Sequence, residues 1–293
     1  MKSQNLLLRR DGAELDVFLY NGEIRQGEDF QFIKFIDDEI NSDTLLLILV
    51  TPGGSPDAAY KIGKYLQSRY SDITIYIPGF CKSAGTLLAI SANKLMFSPY
   101  GELGPLDVQM AKTDDLAGLE SGLNISEAFL TLEIRAKSAF HSLIQEIVGN
   151  SGGIVSFQTA SHSATEILGS LYGPVFAKID PEEVGSRARA MRIGEDYGMR
   201  LNKKFGNLNP KALLALSQTY SSHGFVIDRE EAGVLFNRVE DADEDAQGLV
   251  DSLGSVCRFP GESLDFRNLT EEYQKALCQE DRDDKIPTDN SFE

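Results

Sequence analysis

Apolar residues along the chain follow two periods, and the switches between them predict the elements. Thr44 to Thr51 (TLLLILVT) is a continuous apolar run, as expected of a strand covered on both faces. Phe30 to Ile40 places Phe30, Ile33, Ile36 and Ile40 at helical spacing, and Asp57 to Arg69 does the same with Ala58, Ile62 and Leu66. Asp16 to Tyr20 (DVFLY) reads as a first strand closed by Asn21-Gly22. Ile73 to Pro78 and Lys94 to Ser98 read as further strands, with a helix rich in small residues between them over Ser83 to Ala92. Strands and helices in alternation predict an α/β sheet with crossover connections.

Beyond the Gly- and Pro-rich loop Pro99 to Asp107, helical period dominates. It covers Ile125 to Val148, breaks at Gly149 to Gly153, and resumes through Asp180-Pro181-Glu182-Glu183 to Gly206. Leu213 to Gln218 is a short apolar helix. A compact unit follows over Gly224 to Val239, with a helix start at Asp228 to Glu231. The expected division is a domain over residues 1–240 and an acidic, partly flexible C-terminal extension over 241–293, fraying from Glu280 onward.

Composition narrows the partners. Among 293 residues, 28 Lys+Arg against 45 Asp+Glu give a net charge of −17, which repels phosphate backbones and argues against nucleic acid. Hydrophobic residues make up 42%, enough for a sizeable core. Cys81, Cys257 and Cys278 are scattered without a CxxC pair, which argues against a disulfide framework and a zinc site and points to a reducing, cytoplasmic compartment. The opening MKSQNLLLRRDGAELD holds three consecutive leucines before charge returns, so no membrane span is expected there. No Walker-type phosphate loop occurs, and neither metal nor cofactor is expected.

Three places could carry chemistry. Thr51-Pro-Gly-Gly54 follows a buried strand, and such a turn leaves backbone N–H groups that can hold an oxyanion or simply closes a crossover. Ser83, in Gly79-Phe80-Cys81-Lys82-Ser83-Ala84-Gly85-Thr86, falls between a strand and a helix. There a serine is either an N-cap or a nucleophile on a sharp turn, with the Ala84 N–H beside it. Of the three histidines, His141 and His162 sit in helical or polar stretches, whereas His223 is in a loop, where catalytic groups concentrate. Asp107 lies in the Gly/Pro loop and is by itself a turn residue.

Taken in order, Thr51-Pro-Gly-Gly54, Ser83-Ala-Gly85 and the Gly/Pro loop resemble the Clp protease/crotonase-like fold, with its repeated strand-strand-helix crossover units and additional helices. More narrowly, Ser83-Ala-Gly-Thr86, Gly101-Glu-Leu-Gly-Pro-Leu-Asp-Val-Gln109, Lys178-Ile-Asp-Pro-Glu-Glu-Val-Gly185 and Tyr220-Ser-Ser-His-Gly-Phe-Val-Ile-Asp228 are similar to the serine dehydrogenase proteinase family, related to signal peptide peptidase A. The similarity covers about residues 15–240. It implies a serine peptidase with a Ser83, Asp107, His223 triad acting on a protein or peptide substrate, in a homo-oligomer. The oxyanion would be held by the N–H groups of Gly53 or Gly54 with Ala84. The alternatives are a Ser-Lys dyad with Lys137 as base, resembling signal peptide peptidase A, and a non-catalytic scaffold of the same fold. An acyl-CoA enzyme ranks last, because the turn has no basic cluster near it for the CoA phosphates.

Overall fold

The computed structural model describes residues 15–106, 109–111, 119–220, 222 and 224–275. The chain forms two units, one of residues 1–107 with 193–293 and one of residues 108–192.

The first unit is built on a six-stranded sheet of order β10-β1-β2-β3-β5-β9. Its strands are β1 (Asp16–Asn21), β2 (Thr44–Val50), β3 (Asp72–Ile77), β5 (Lys94–Phe97), β9 (Val239–Asp241) and β10 (Asp265–Asn268). All neighbours run parallel except β10, which is antiparallel to β1. A small parallel pair, β4 (Phe80–Cys81) with β6 (Glu102–Leu103), stands apart from the main sheet. The helices of this unit include α1 (Glu28–Glu39), α2 (Pro56–Arg69) and α3 (Ala84–Ala89).

All seven residues of β2 are buried, and their alternation divides two cores. Leu45, Leu47 and Leu49 pack with Phe18, Tyr20, Phe32, Ile62 and Leu66 on the face of α1 and α2. Leu46 and Ile48 pack with Val17, Leu19, Tyr76, Leu249 and Val250 on the other face. The uninterrupted apolar run therefore has the physical cause expected of it, helices on both sides. Each such side chain contributes about 1.5–3 kcal/mol by burial, which makes the strand ends a rigid platform. Helix α2 starts where its sequence dictates: Ser55 accepts from the Ala58 N–H at 3.4 Å and Pro56 occupies the first turn.

The second unit contains the short strands β7 (Gln109–Ala111) and β8 (Leu119–Ser121) and the helices α4 (Gly122–Asn150) and α5 (Phe157–Phe176). Helix α4 packs on α5 through Ile144, Ala160 and Ala164, with Phe140, Leu143 and Ile147 around them. Helix α6 (Pro181–Phe205) follows, then α7 (Ala212–Gln218), α8 (Arg229–Leu235) and α9 (Glu244–Leu253) in the first unit. Among the described residues, no helix is long and apolar enough to cross a membrane.

Three details differ from the periodicity. Helix α3 ends at Ala89 rather than Ala92, because the Ser91 N–H and hydroxyl both donate to the Leu88 carbonyl, at 2.9 and 2.6 Å. The Pro99 to Asp107 loop contains β6. Residues beyond 238 supply both edge strands of the sheet, β9 on β5 and β10 on β1. The tail from Glu280 lies outside the described residues.

Candidate active site

Parallel sheets present ligands at the carboxyl ends of their strands, and the chemistry-bearing turns of this chain gather there. Thr51 extends β2 beyond the sheet. Its N–H donates to the Phe80 carbonyl at 2.9 Å, and its carbonyl accepts from the Lys82 N–H at 3.0 Å. These two bonds set the Pro-Gly-Gly turn alongside the residues that lead into Ser83. The turn is pinned from its other side by Ile24, whose N–H donates to the Gly53 carbonyl at 2.7 Å while its carbonyl accepts from Ser55 at 2.7 Å.

Gly53 and Gly54 have φ of 107° and 130°, a region that side chains rarely adopt. Space forbids one at Gly53 as well: a Cβ would lie 2.7 Å from the Ser83 Cβ and 2.9 Å from the Lys82 carbonyl. Glycine here is what allows the turn to touch the serine. Gly53→Ala is therefore expected to cost about 1–3 kcal/mol and to displace Ser83. A lower urea midpoint together with lost hydrolysis checks this, and an unchanged midpoint contradicts it.

Ser83 has φ 51° and ψ −112° and is the one non-glycine residue with positive φ among those described. Its side chain makes no capping bond to α3, so the ordinary role of serine at a helix start does not account for it. Sharp, strained strand-to-helix turns of this kind expose a nucleophile. The amides of Gly54 and Ala84 have no acceptor among the described residues, whereas the Gly53 N–H donates to Thr51 Oγ1 at 3.0 Å. Cys81 is no competing nucleophile. It is buried, and burial pushes its thiol far above the ordinary cysteine range.

Asp107 and His223 lie outside the described residues. The segments that flank them are fixed. On the Asp107 side, Gly104 accepts from Thr86 Oγ1 at 2.7 Å and the Leu106 N–H donates to the Leu216 carbonyl at 2.8 Å. On the His223 side, Ile227 and Leu103 exchange backbone bonds at 2.9 and 3.0 Å. The rings of Tyr220 and Phe225 lie 4.8 Å apart, and the Tyr220 hydroxyl donates to Glu231 at 2.8 Å.

Lys137 is 72% exposed on α4, with its ammonium on Glu133 at 2.5 Å. His141 and His162 are exposed on helices of the second unit, His162 beside Glu166 at 3.4 Å. Sequence reasoning missed Lys82, which is 3% exposed and bonded to the Leu103 and Phe225 carbonyls at 3.1 Å each. Only its place in the motif beside Ser83 could have marked it.

The parallel-dominated sheet, with a glycine turn set against a serine in a strained elbow, makes this an α/β protein with a candidate nucleophile at the strand ends. The sequence profile of the ClpP-like SDH-type serine proteinases matches residues 28–121. That bears out, over this stretch, the resemblance carried by the motifs; it takes in Thr51 to Gly54, Ser83 and Asp107 and stops short of Lys137 and His223. Two uncharacterized proteins of Methanocaldococcus jannaschii are similar over short segments. One is 36% identical over 66 residues, 22% of this chain and 23% of its own length. The other is 29% identical over 101 residues, 33% of this chain and 35% of its own. The matches thus span from just under a quarter to about a third of these relatives. Among solved structures, the 1510-N membrane protease specific for a stomatin homolog from Pyrococcus horikoshii is 28% identical, over 31% of this chain and 48% of its own, with a TM-score of 0.27. A mutant of the 1510-N membrane-bound stomatin-specific protease is 18% identical, over 50% and 67%, with a TM-score of 0.32.

Proposed function

We propose that the protein is a serine peptidase in which Ser83 is the nucleophile, His223 the base and Asp107 the carboxylate that orients it. The observation behind this reading is the strained backbone of Ser83, packed directly against Gly53. In the step envisaged, the Ser83 oxygen bonds to the peptide carbonyl carbon while imidazole takes the hydroxyl proton. The C–N bond then breaks, the leaving amine takes that proton, and water repeats the sequence to release the acid. Charge on the former carbonyl oxygen falls to backbone donors. Ala84 and Gly54 are best suited, and Gly53 joins by giving up its bond to Thr51 Oγ1. Each such donor is worth about 3 kcal/mol in the transition state.

The Ser-Lys alternative is less well supported, because Lys137 keeps a surface ion pair and lacks the desolvation that turns a lysine into a base. The free, buried Cys81 and Cys257 suit the reducing, cytoplasmic setting expected. Leu130, Ile134 and Leu171, left exposed on α4 and α5, suit the expected self-association, for which sedimentation gives the order. A chromogenic ester tests the reading: an acyl-enzyme gives a burst of released alcohol equal to the active chains before a slower steady rate. Release that is linear from the start and equal in Ser83→Ala would refute it.

A further inference from the structure

Lys82 is a buried cation that the chemistry above does not use. Lysine is almost never fully buried without partners, and a well-packed apolar side chain is often the more stable choice for such a position. Here the partners are specific. The Lys82 ammonium donates to the Leu103 carbonyl at 3.1 Å and the Phe225 carbonyl at 3.1 Å, and pairs with Glu102 Oε1 at 3.3 Å. Three donors meet three acceptors. Its stem is seated against Gly104, where a Cβ would come within 2.5 Å of the Lys82 Cδ.

The three acceptors belong to the two segments that lead to the other members of the triad. Glu102 and Leu103 form β6, which runs toward Asp107, and Phe225 follows His223 by two residues. Lys82 itself directly precedes Ser83. The Leu103–Ile227 bridge ties the same two segments through the backbone. At the far end of the His223 loop, Tyr220 is held by Glu231 and by the Phe225 ring. Lys82 reaches from the Ser83 turn to the segment that follows this loop, through its bond to the Phe225 carbonyl.

We infer that Lys82 is a positioning residue: its ammonium fixes the chain segment after His223 in register with the Ser83 turn, so that it governs turnover without touching substrate. This rests on the reading of Ser83 and His223 as nucleophile and base. The test compares full-length wild type with Lys82→Met in two measurements, peptide hydrolysis and amide hydrogen exchange.

The expected result is a kcat lower by about 100-fold, the scale of a 1 Å misplacement, with KM within about threefold because no substrate contact is lost. Exchange over residues 224–227 should rise about tenfold or more, while β2 and β3 stay protected. Two results overturn the inference: unchanged exchange at 224–227 with unchanged kcat, or turnover as low as that of Ser83→Ala with unchanged exchange, which makes Lys82 the base. If Lys82→Met does not fold, Glu102→Gln serves, with a smaller rise over the same segment supporting the strut and none refuting it. A wild type without hydrolysis would fail the peptidase reading alone, since exchange decides the strut independently.

Discussion

Ser83→Gly is expected to abolish peptide hydrolysis and yet melt at or above the wild-type temperature. The two effects have separate causes. Removing the hydroxyl removes the nucleophile, and no other side chain replaces it. Removing the Cβ relieves a backbone held at φ 51° and ψ −112°, a strain of order 1–3 kcal/mol that glycine does not feel. Against this stands glycine's greater entropy in the unfolded chain, about 0.4–1 kcal/mol. These two backbone contributions leave a gain near 1 kcal/mol or a neutral change, and the comparison with Ser83→Ala, which loses the same hydroxyl, isolates them. Ser83→Ala removes the same hydroxyl but keeps the strain, so it should be inactive and less stable than Ser83→Gly. Differential scanning calorimetry with a hydrolysis assay reads both. A Ser83→Gly variant that is clearly less stable than Ser83→Ala means that the backbone is not strained, and an active one means that the nucleophile lies elsewhere.

His223→Ala should reduce kcat/KM by orders of magnitude, and Lys137→Ala should leave it within about threefold, the scale set by losing an exposed ion pair. Asp107→Asn should match the histidine loss or fall somewhat short of it, because the carboxylate fixes the tautomer and stabilises the imidazolium. The pH profile gives the same contrast. A histidine base must lose a proton from a group of ordinary pKa ~6.5, so kcat/KM rises through that region and levels off. A lysine base keeps activity climbing into the alkaline range, since it starts near ~10.4. An inactive Lys137→Ala beside an active His223→Ala would replace the triad with the dyad.

The sheet was legible because burial on both faces leaves an unambiguous trace. A run like Thr44 to Thr51 calls for cover on each side, and the structure supplies it. The edge strands were not legible. Strands β9 (VED) and β10 (DFRN) are short and largely polar, as solvent-facing edges are, and periodicity has nothing to register in three or four residues. The two-residue strands β4 and β6 were hidden inside a turn and a loop for the same reason. Within the site, the spacing of the motifs brought out the glycine turn and Ser83. It could not bring out the contact between them, because the Gly53–Ser83 approach joins residues thirty positions apart through the Thr51 bonds to Phe80 and Lys82. Lys82 was unreadable for a further reason. A lysine in sequence reads as solvated, and only the carbonyls converging on it show that it is buried.

The nucleophile itself can be tested in a single step. Folded protein is treated with a fluorophosphonate probe, which reacts preferentially with an activated serine, and the adduct is located by peptide mass spectrometry. The account predicts a single adduct on Ser83, formed far more slowly in His223→Ala and absent from Ser83→Ala. An unmodified Ser83 in folded, soluble protein, or an adduct on a different residue, would contradict it.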